Sequence, residues 1–71
     1  MNTELLNRIS RSCGEALLRG ELIEARDMAG FNRSRMADAE SVKERRLYRN
    51  AAWQWHLQAG IILGQIRQVA Q

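Results

Sequence analysis

A few side chains in this sequence have types suited to chemistry: one thiol, one imidazole and a run of carboxylates. Cys13 is the one cysteine and His56 the one histidine. A nucleophile needs a base within hydrogen-bond reach, and a structural zinc needs about four close ligands. Glu21, Glu24 and Asp27 recur at helical spacing, which is typical of a solvated helix face, and no second acidic cluster could complete a metal site. We therefore expect no catalytic residue, no cofactor and no metal.

The simpler interpretation of the thiol and the imidazole is structural. Cys13 shares the apolar face of a predicted helix, where cysteine packs as a small apolar residue rather than reacting. His56 lies between Trp55 and Leu57, so a partly exposed, hydrogen-bonded histidine is expected. The alternative for His56 is a pH-sensitive residue at an interface.

Composition restricts the chain to one small helical domain covering residues 1–71. The sequence has 71 residues, no proline, 45% hydrophobic and 27% charged residues, and a formal net charge of +3. Helix-forming residues dominate, and the balance of apolar and charged residues is that of a folded protein. A core of this size supplies only about 3–5 kcal/mol, so natural chains add a disulfide, a metal or a partner subunit. Since the first two are not expected, the sequence predicts oligomerisation.

The apolar spacing predicts an all-α antiparallel helical hairpin. Its first helix covers about residues 3–29, its turn residues 30–32 and its second helix about residues 33–69. The Gly30-Phe31-Asn32 segment carries the turn signal, because glycine suits a left-handed helix C-cap and asparagine suits a helix start. A second possible start is Ser41, whose spacing to Glu44 matches a capping box. Gly20 either lies within one continuous first helix, which we favour, or breaks it to give a three-helix unit.

The first helix carries apolar residues at steps of three and four, the amphipathic pattern of a helix that packs on a neighbour. Its first half presents Leu5, Leu6, Ile9, Cys13, Ala16 and Leu17 on one face. Beyond Gly20 the stripe moves round to Leu18, Leu22, Ala25 and Ala29.

The second helix carries two apolar stripes on nearly opposite sides. One stripe can pack on the first helix and contains Tyr48, Ala52, Trp55, Ala59, Ile62, Ile66 and Val69. The other contains Trp53, Leu57, Gly60, Ile61 and Gly64. A two-helix hairpin covers only one of them, so the second stripe is predicted to bind a twin subunit, giving a four-helix assembly, or another protein. Trp55 is therefore predicted to face inward and Trp53 outward.

Positive charge concentrates in the middle of the chain. The basic residues of this segment are Arg33, Arg35, Lys43, Arg45, Arg46 and Arg49, interleaved with Asp38, Glu40 and Glu44. Three interpretations are open: a solvated or internally paired face, a surface for an acidic protein, and a nucleic-acid contact. The first is favoured because the interleaved acids reduce the positive field.

No apolar run approaches the roughly 20 residues that a membrane span needs, and no export signal is evident, so we expect a cytoplasmic protein without membrane contact. The expected function is a non-catalytic regulator, adaptor or inhibitor that binds a larger protein and acts as a homodimer. The alternative is a small dimeric nucleic-acid-binding regulator that uses the Arg33–Arg49 segment. A third possibility is an obligate subunit whose apolar stripe covers another protein.

Overall fold

The computed structural model describes residues 3–70, which form two antiparallel α-helices joined by a short turn. Helix α1 spans Thr3–Ala37 and helix α2 spans Val42–Ala70. No strand occurs in this part of the chain. The predicted all-α helical hairpin is confirmed.

The turn occupies residues 38–41, so the prediction of a turn at residues 30–32 is wrong. Gly30 lies inside α1, and no glycine of the described residues has a positive φ. Asn32 is buried, and its Nδ2 donates a hydrogen bond to the carbonyl of Met28 at 2.8 Å. A side-chain amide satisfied one turn back does not compete with the helix, and burial of Ala29 and Asn32 ties this segment to α2. Packing thus overrides the local turn signal.

The start of α2 follows the alternative prediction. The Oγ of Ser41 accepts a hydrogen bond from the backbone N–H of Glu44 at 3.1 Å. The carbonyl of Ser41 accepts the N–H of Arg45 at 3.0 Å, and the last turn of α1 closes with the Asp38 N–H donating to the Ser34 carbonyl at 3.3 Å. An N-cap hydroxyl satisfies an amide left unpaired at a helix start and typically contributes about 1 kcal/mol. The predicted cap at Ser41 is confirmed.

The two helices meet along a seam whose residues recur at alternating steps of three and four, the repeat of coiled-coil packing. On α1 the seam residues are Leu18, Leu22, Ala25, Ala29, Asn32 and Met36. On α2 they are Tyr48, Ala52, Trp55, Ala59, Ile62, Ile66 and Val69. All are buried or half-buried, and Leu22, Ala25, Ile62 and Ile66 form the central cluster. The predicted inward stripe of the second helix is confirmed.

Helix α1 runs through Gly20 without interruption, as favoured from the sequence. Outside the local helix backbone, no atom of the described residues lies within 4 Å of the position that a Cβ on Gly20 would take. The glycine therefore neither ends the helix nor permits a close contact within the hairpin.

The first half of α1 contributes little to the seam. Leu5, Ile9 and Leu17 each keep more than half of their accessible surface, and Cys13 is exposed. The expectation that Cys13 packs in the core is therefore wrong. Continuing the seam back from Leu18 reaches the charged residues Glu15, Arg11 and Arg8. The apolar residues of this half consequently lie on the opposite side of the helix, away from α2.

Candidate interaction surface

The outer side of α2 carries an uncovered apolar stripe, which we call the α2 outer stripe: Trp53, Leu57, Gly60, Ile61 and Gly64. Trp53 is 58% exposed, Leu57 44% and Ile61 58%, so the hairpin buries none of the three. Both glycines are exposed, and a Cβ on either would meet no described atom within 4 Å beyond the local helix backbone. This side of α2 is accessible to another helix.

Trp53 is held by a ring contact on its own helix. Its indole stacks on the imidazole of His56, with ring centroids 5.5 Å apart and planes inclined by 29°. Offset stacking of this type favours one orientation of the exposed indole. Both rings border an open groove of about 550 Å³, which is also lined by Arg33, Met36, Arg49, Asn50 and Ala52.

The six cations singled out from the sequence all lie exposed near the turn end of the hairpin. They are Arg33, Arg35, Lys43, Arg45, Arg46 and Arg49. Within residues 3–70 none of them forms an ion pair with a carboxylate. Arg35 instead lies over the ring of Phe31, with its Cζ 5.3 Å from the centroid. Arg33 and Arg49 line one groove, and Arg45, Arg46 and Arg49 line another, while the charge of all six cations is left uncompensated by ion pairs within the described residues.

A second uncovered stripe lies on the outer side of α1, and four of its residues, Leu6, Ile9, Cys13 and Ala16, belong to the face that the sequence analysis expected to pack. We call it the α1 outer stripe: Leu6, Ile9, Cys13, Ala16, Gly20 and Ile23. All six residues are exposed. The signal was present in the sequence, because these residues follow the same alternating steps of three and four as the seam but on the opposite face.

Three of the acidic residues of α1 lie near the end of this stripe that is nearer the turn. Glu21, Glu24 and Asp27 are exposed, and none forms an ion pair among the described residues. The carboxylate of Glu15, by contrast, pairs with the guanidinium of Arg19 at 2.7 Å, one turn away on α1. No group of three His, Cys, Asp or Glu side chains within residues 3–70 is arranged to hold a metal ion.

The hairpin exposes more surface than a compact monomer of its mass. Its accessible surface is 5771 Å² for a chain of 8.2 kDa. Folded monomers of this mass expose roughly 4,500 Å², so the excess is about 1,200 Å². The elongated shape of the hairpin, 61 × 14 × 11 Å, accounts for an excess of this kind.

Neither helix within residues 3–70 combines the length and the apolar character needed to cross a bilayer. Comparison with protein-family models, with curated protein sequences and with solved structures finds no match to this chain. The geometry of the two outer stripes and of the exposed cations is therefore the basis on which its function is argued.

Proposed function

We propose that this protein is a non-catalytic protein-binding regulator, adaptor or inhibitor that acts through its helical surface and associates with itself, the homodimer being the smallest assembly. The observation that carries this proposal is the exposure of Trp53, Leu57 and Ile61 along the outer side of α2. A continuous apolar stripe of this type on a small hairpin marks a protein-binding surface.

Burial of this stripe would favour association. Full burial of a large apolar side chain contributes about 1.5–3 kcal/mol, and covering the exposed parts of these three would supply a share of that toward the roughly 4–15 kcal/mol of translational and rotational freedom that association costs. Tryptophan is also among the residues that most often dominate binding energy. A larger partner would be oriented by the exposed cations at the turn end, since uncompensated positive charge accelerates encounter with an acidic surface.

The substitution Trp53→Glu tests this proposal. We expect the wild-type protein to sediment above its monomer mass, and the variant to sediment as a monomer with unchanged helical circular dichroism. Gln54→Glu is the matched control, because it adds the same charge at the next residue, which is exposed and outside the α2 outer stripe. A Trp53→Glu variant with the wild-type mass would contradict the assignment of this stripe.

A second candidate function is nucleic-acid binding by the six clustered cations. The observation that favours it is their lack of internal ion pairs. Phosphate contacts make affinity fall linearly with salt on logarithmic axes, with a slope close to the number of contacts. A variant with Arg45, Arg46 and Arg49 changed to alanine should then lose retention of duplex DNA at low salt. The matched control removes the same charge elsewhere by changing Arg8, Arg11 and Arg26, which are also exposed.

A further inference from the structure

We propose that the partner of the α2 outer stripe is the α1 outer stripe of a second copy, packed antiparallel, so that hairpins join edge to edge in a head-to-tail series. This inference rests on the self-association proposed above and names its second surface. The resulting assembly is a filament or a ring of hairpins and not a dimeric four-helix bundle.

The directions of the two stripes carry the first step. At about 100° per residue, the outer stripe of α1 is centred roughly 180° from the seam of the same helix, and the same holds for α2. The two stripes therefore lie on opposite edges of the hairpin. In a four-helix bundle each helix contacts its two neighbours at roughly a right angle, and neither stripe would then be covered. A neighbour placed at each edge covers both.

The sizes of the facing side chains carry the second step. One antiparallel register places Gly20 opposite Trp53, Ala16 opposite Leu57, Cys13 opposite Gly60 and Ile9 opposite Gly64. Three of the four pairs join a large residue to glycine or alanine, and the fourth joins cysteine to glycine, which lets two helices approach closely. The register is continuous over these four pairs, because Trp53, Leu57, Gly60 and Gly64 follow the same steps of four, three and four as the four residues of α1 read in the opposite direction.

Charge carries the third step, since the same register continues into a pair of opposite sign. Asp27 comes opposite Arg46. Both side chains are exposed, and neither forms an ion pair within its own hairpin among the described residues. Matched charges at the end of an apolar contact set its register and its partner.

Packing of α2 on the α2 of a second copy brings no opposite charges face to face. Aligning Leu57 with Gly60 of the twin helix in an antiparallel pair places Arg46 and Arg49 near residues 68–71. That end of the sequence has Arg67 as its one formally charged residue from Asn50 onward. The like-helix contact would also leave the α1 outer stripe uncovered. The observations therefore favour the mixed contact.

Symmetry carries the last step. A contact between two different surfaces is heterologous, so each added hairpin presents a new free edge, and the series continues as a filament or closes as a ring. The mass of the assembly should accordingly rise with protein concentration past the dimer.

A charge-exchange experiment tests this arrangement with the whole chain. Variant one carries Asp27→Arg, and variant two carries Arg46→Glu. Each variant alone opposes like charges across the contact, so each should sediment as a monomer while retaining helical circular dichroism. An equimolar mixture restores opposite charges at both junctions and should recover association. Wild-type association by variant one alone, or a mixture that stays monomeric, would overturn the proposal.

Covalent trapping tests the register. Gly60→Cys places a thiol opposite Cys13 of the next copy, and a short bismaleimide should join the chains into a ladder of dimers, trimers and longer products on denaturing gels. Gln58→Cys is the control, because this exposed residue lies off the stripe and should give no ladder. Products that stop at the dimer with Gly60→Cys would contradict a head-to-tail contact.

The outcomes separate this inference from the broader proposal. A wild-type protein that is monomeric at every concentration would refute self-association itself. A wild-type protein that associates and is dispersed by Trp53→Glu, but whose mass is unaffected by Asp27→Arg, would refute only the mixed contact.

Discussion

Ile61 and Ile62 are adjacent on α2 and face opposite sides of the helix: Ile62 keeps 2% of its accessible surface and Ile61 keeps 58%. Two isoleucines at neighbouring positions along the helix axis thus lie in different environments. One lies in the seam beside Leu22 and Ala25, and the other lies on the outer stripe. This pair separates what folds the hairpin from what is available to a partner.

Alanine substitution of the two isoleucines should give unequal losses of stability. Ile62→Ala leaves a cavity in the seam and should lower the free energy of unfolding by about 3 kcal/mol. Ile61→Ala removes no packing within the hairpin and should change it by less than about 0.5 kcal/mol. Urea unfolding at a dilution where the protein is monomeric measures both. Equal losses would contradict the orientation of α2.

Asn32 is a polar residue in an otherwise largely apolar seam, and its replacement should stabilise the fold. Asn32→Leu exchanges a buried amide for an apolar side chain of similar size and should raise the free energy of unfolding by about 1 kcal/mol. Asn7→Leu, at an exposed position, controls for the better helix propensity of leucine. Thermal unfolding of the two variants gives the comparison. A destabilised Asn32→Leu variant would mean that the Asn32 bond to the Met28 carbonyl contributes more than its burial costs.

The cap at Ser41 should matter to stability, whereas a nearby serine should not. Ser41→Ala removes the hydroxyl that accepts the Glu44 amide and should cost about 1 kcal/mol. Ser34→Ala, exposed within α1, should leave stability unchanged or raise it by a few tenths of a kcal/mol, since alanine is the better helix former. Chemical denaturation at one protein concentration measures the difference. A silent Ser41→Ala would place the effective start of α2 elsewhere.

Gly20 should be replaceable by alanine with a gain in stability. The helix is continuous at this residue, and a Cβ would meet no described atom within 4 Å beyond the local helix backbone. Removing the backbone freedom of glycine from a helix interior contributes about 0.5–1 kcal/mol. At a dilution where the protein is monomeric, the midpoint of thermal unfolding should therefore rise in Gly20→Ala. A lower midpoint at that dilution would show that α1 bends at this position.

The sequence was sufficient for the hairpin and the inward stripe of α2, because each depends on local spacing. It offered Ser41 as one of two possible starts of the second helix, and the structure selects it. The opposite placement of Trp53 and Trp55 followed from the same arithmetic, since two residues separate side chains by about 200° on a helix. The structure leaves Trp53 exposed and packs Trp55 against the core cluster.

The position of the turn was not predictable from local signals alone. Gly30 and Asn32 have the residue types of a turn, but Ala29 and Asn32 are needed in the seam, and tertiary packing decides between the two. The spacing of Asn32 and Met36 indicated that the first helix continues, because these two residues extend the three-and-four repeat of the seam past residues 30–32. The α1 outer stripe was assigned to the core for a related reason: one amphipathic face does not reveal whether a neighbour lies on that side.

The length difference between the two helices has a consequence for how the molecule is ordered. Helix α1 has 35 residues and α2 has 29, so α1 is about 9 Å longer. In the first turns of α1 the positions that continue the seam hold the charged residues Arg8 and Arg11. A short helical segment like these first turns, without a packed face, is marginal in water. Amide hydrogen exchange should therefore be slow around Ala25 and Ile62 and progressively faster toward Thr3. Contact with a neighbour along the first turns of α1 would order the backbone as it binds, so assembly should carry the enthalpy and heat-capacity change of coupled folding.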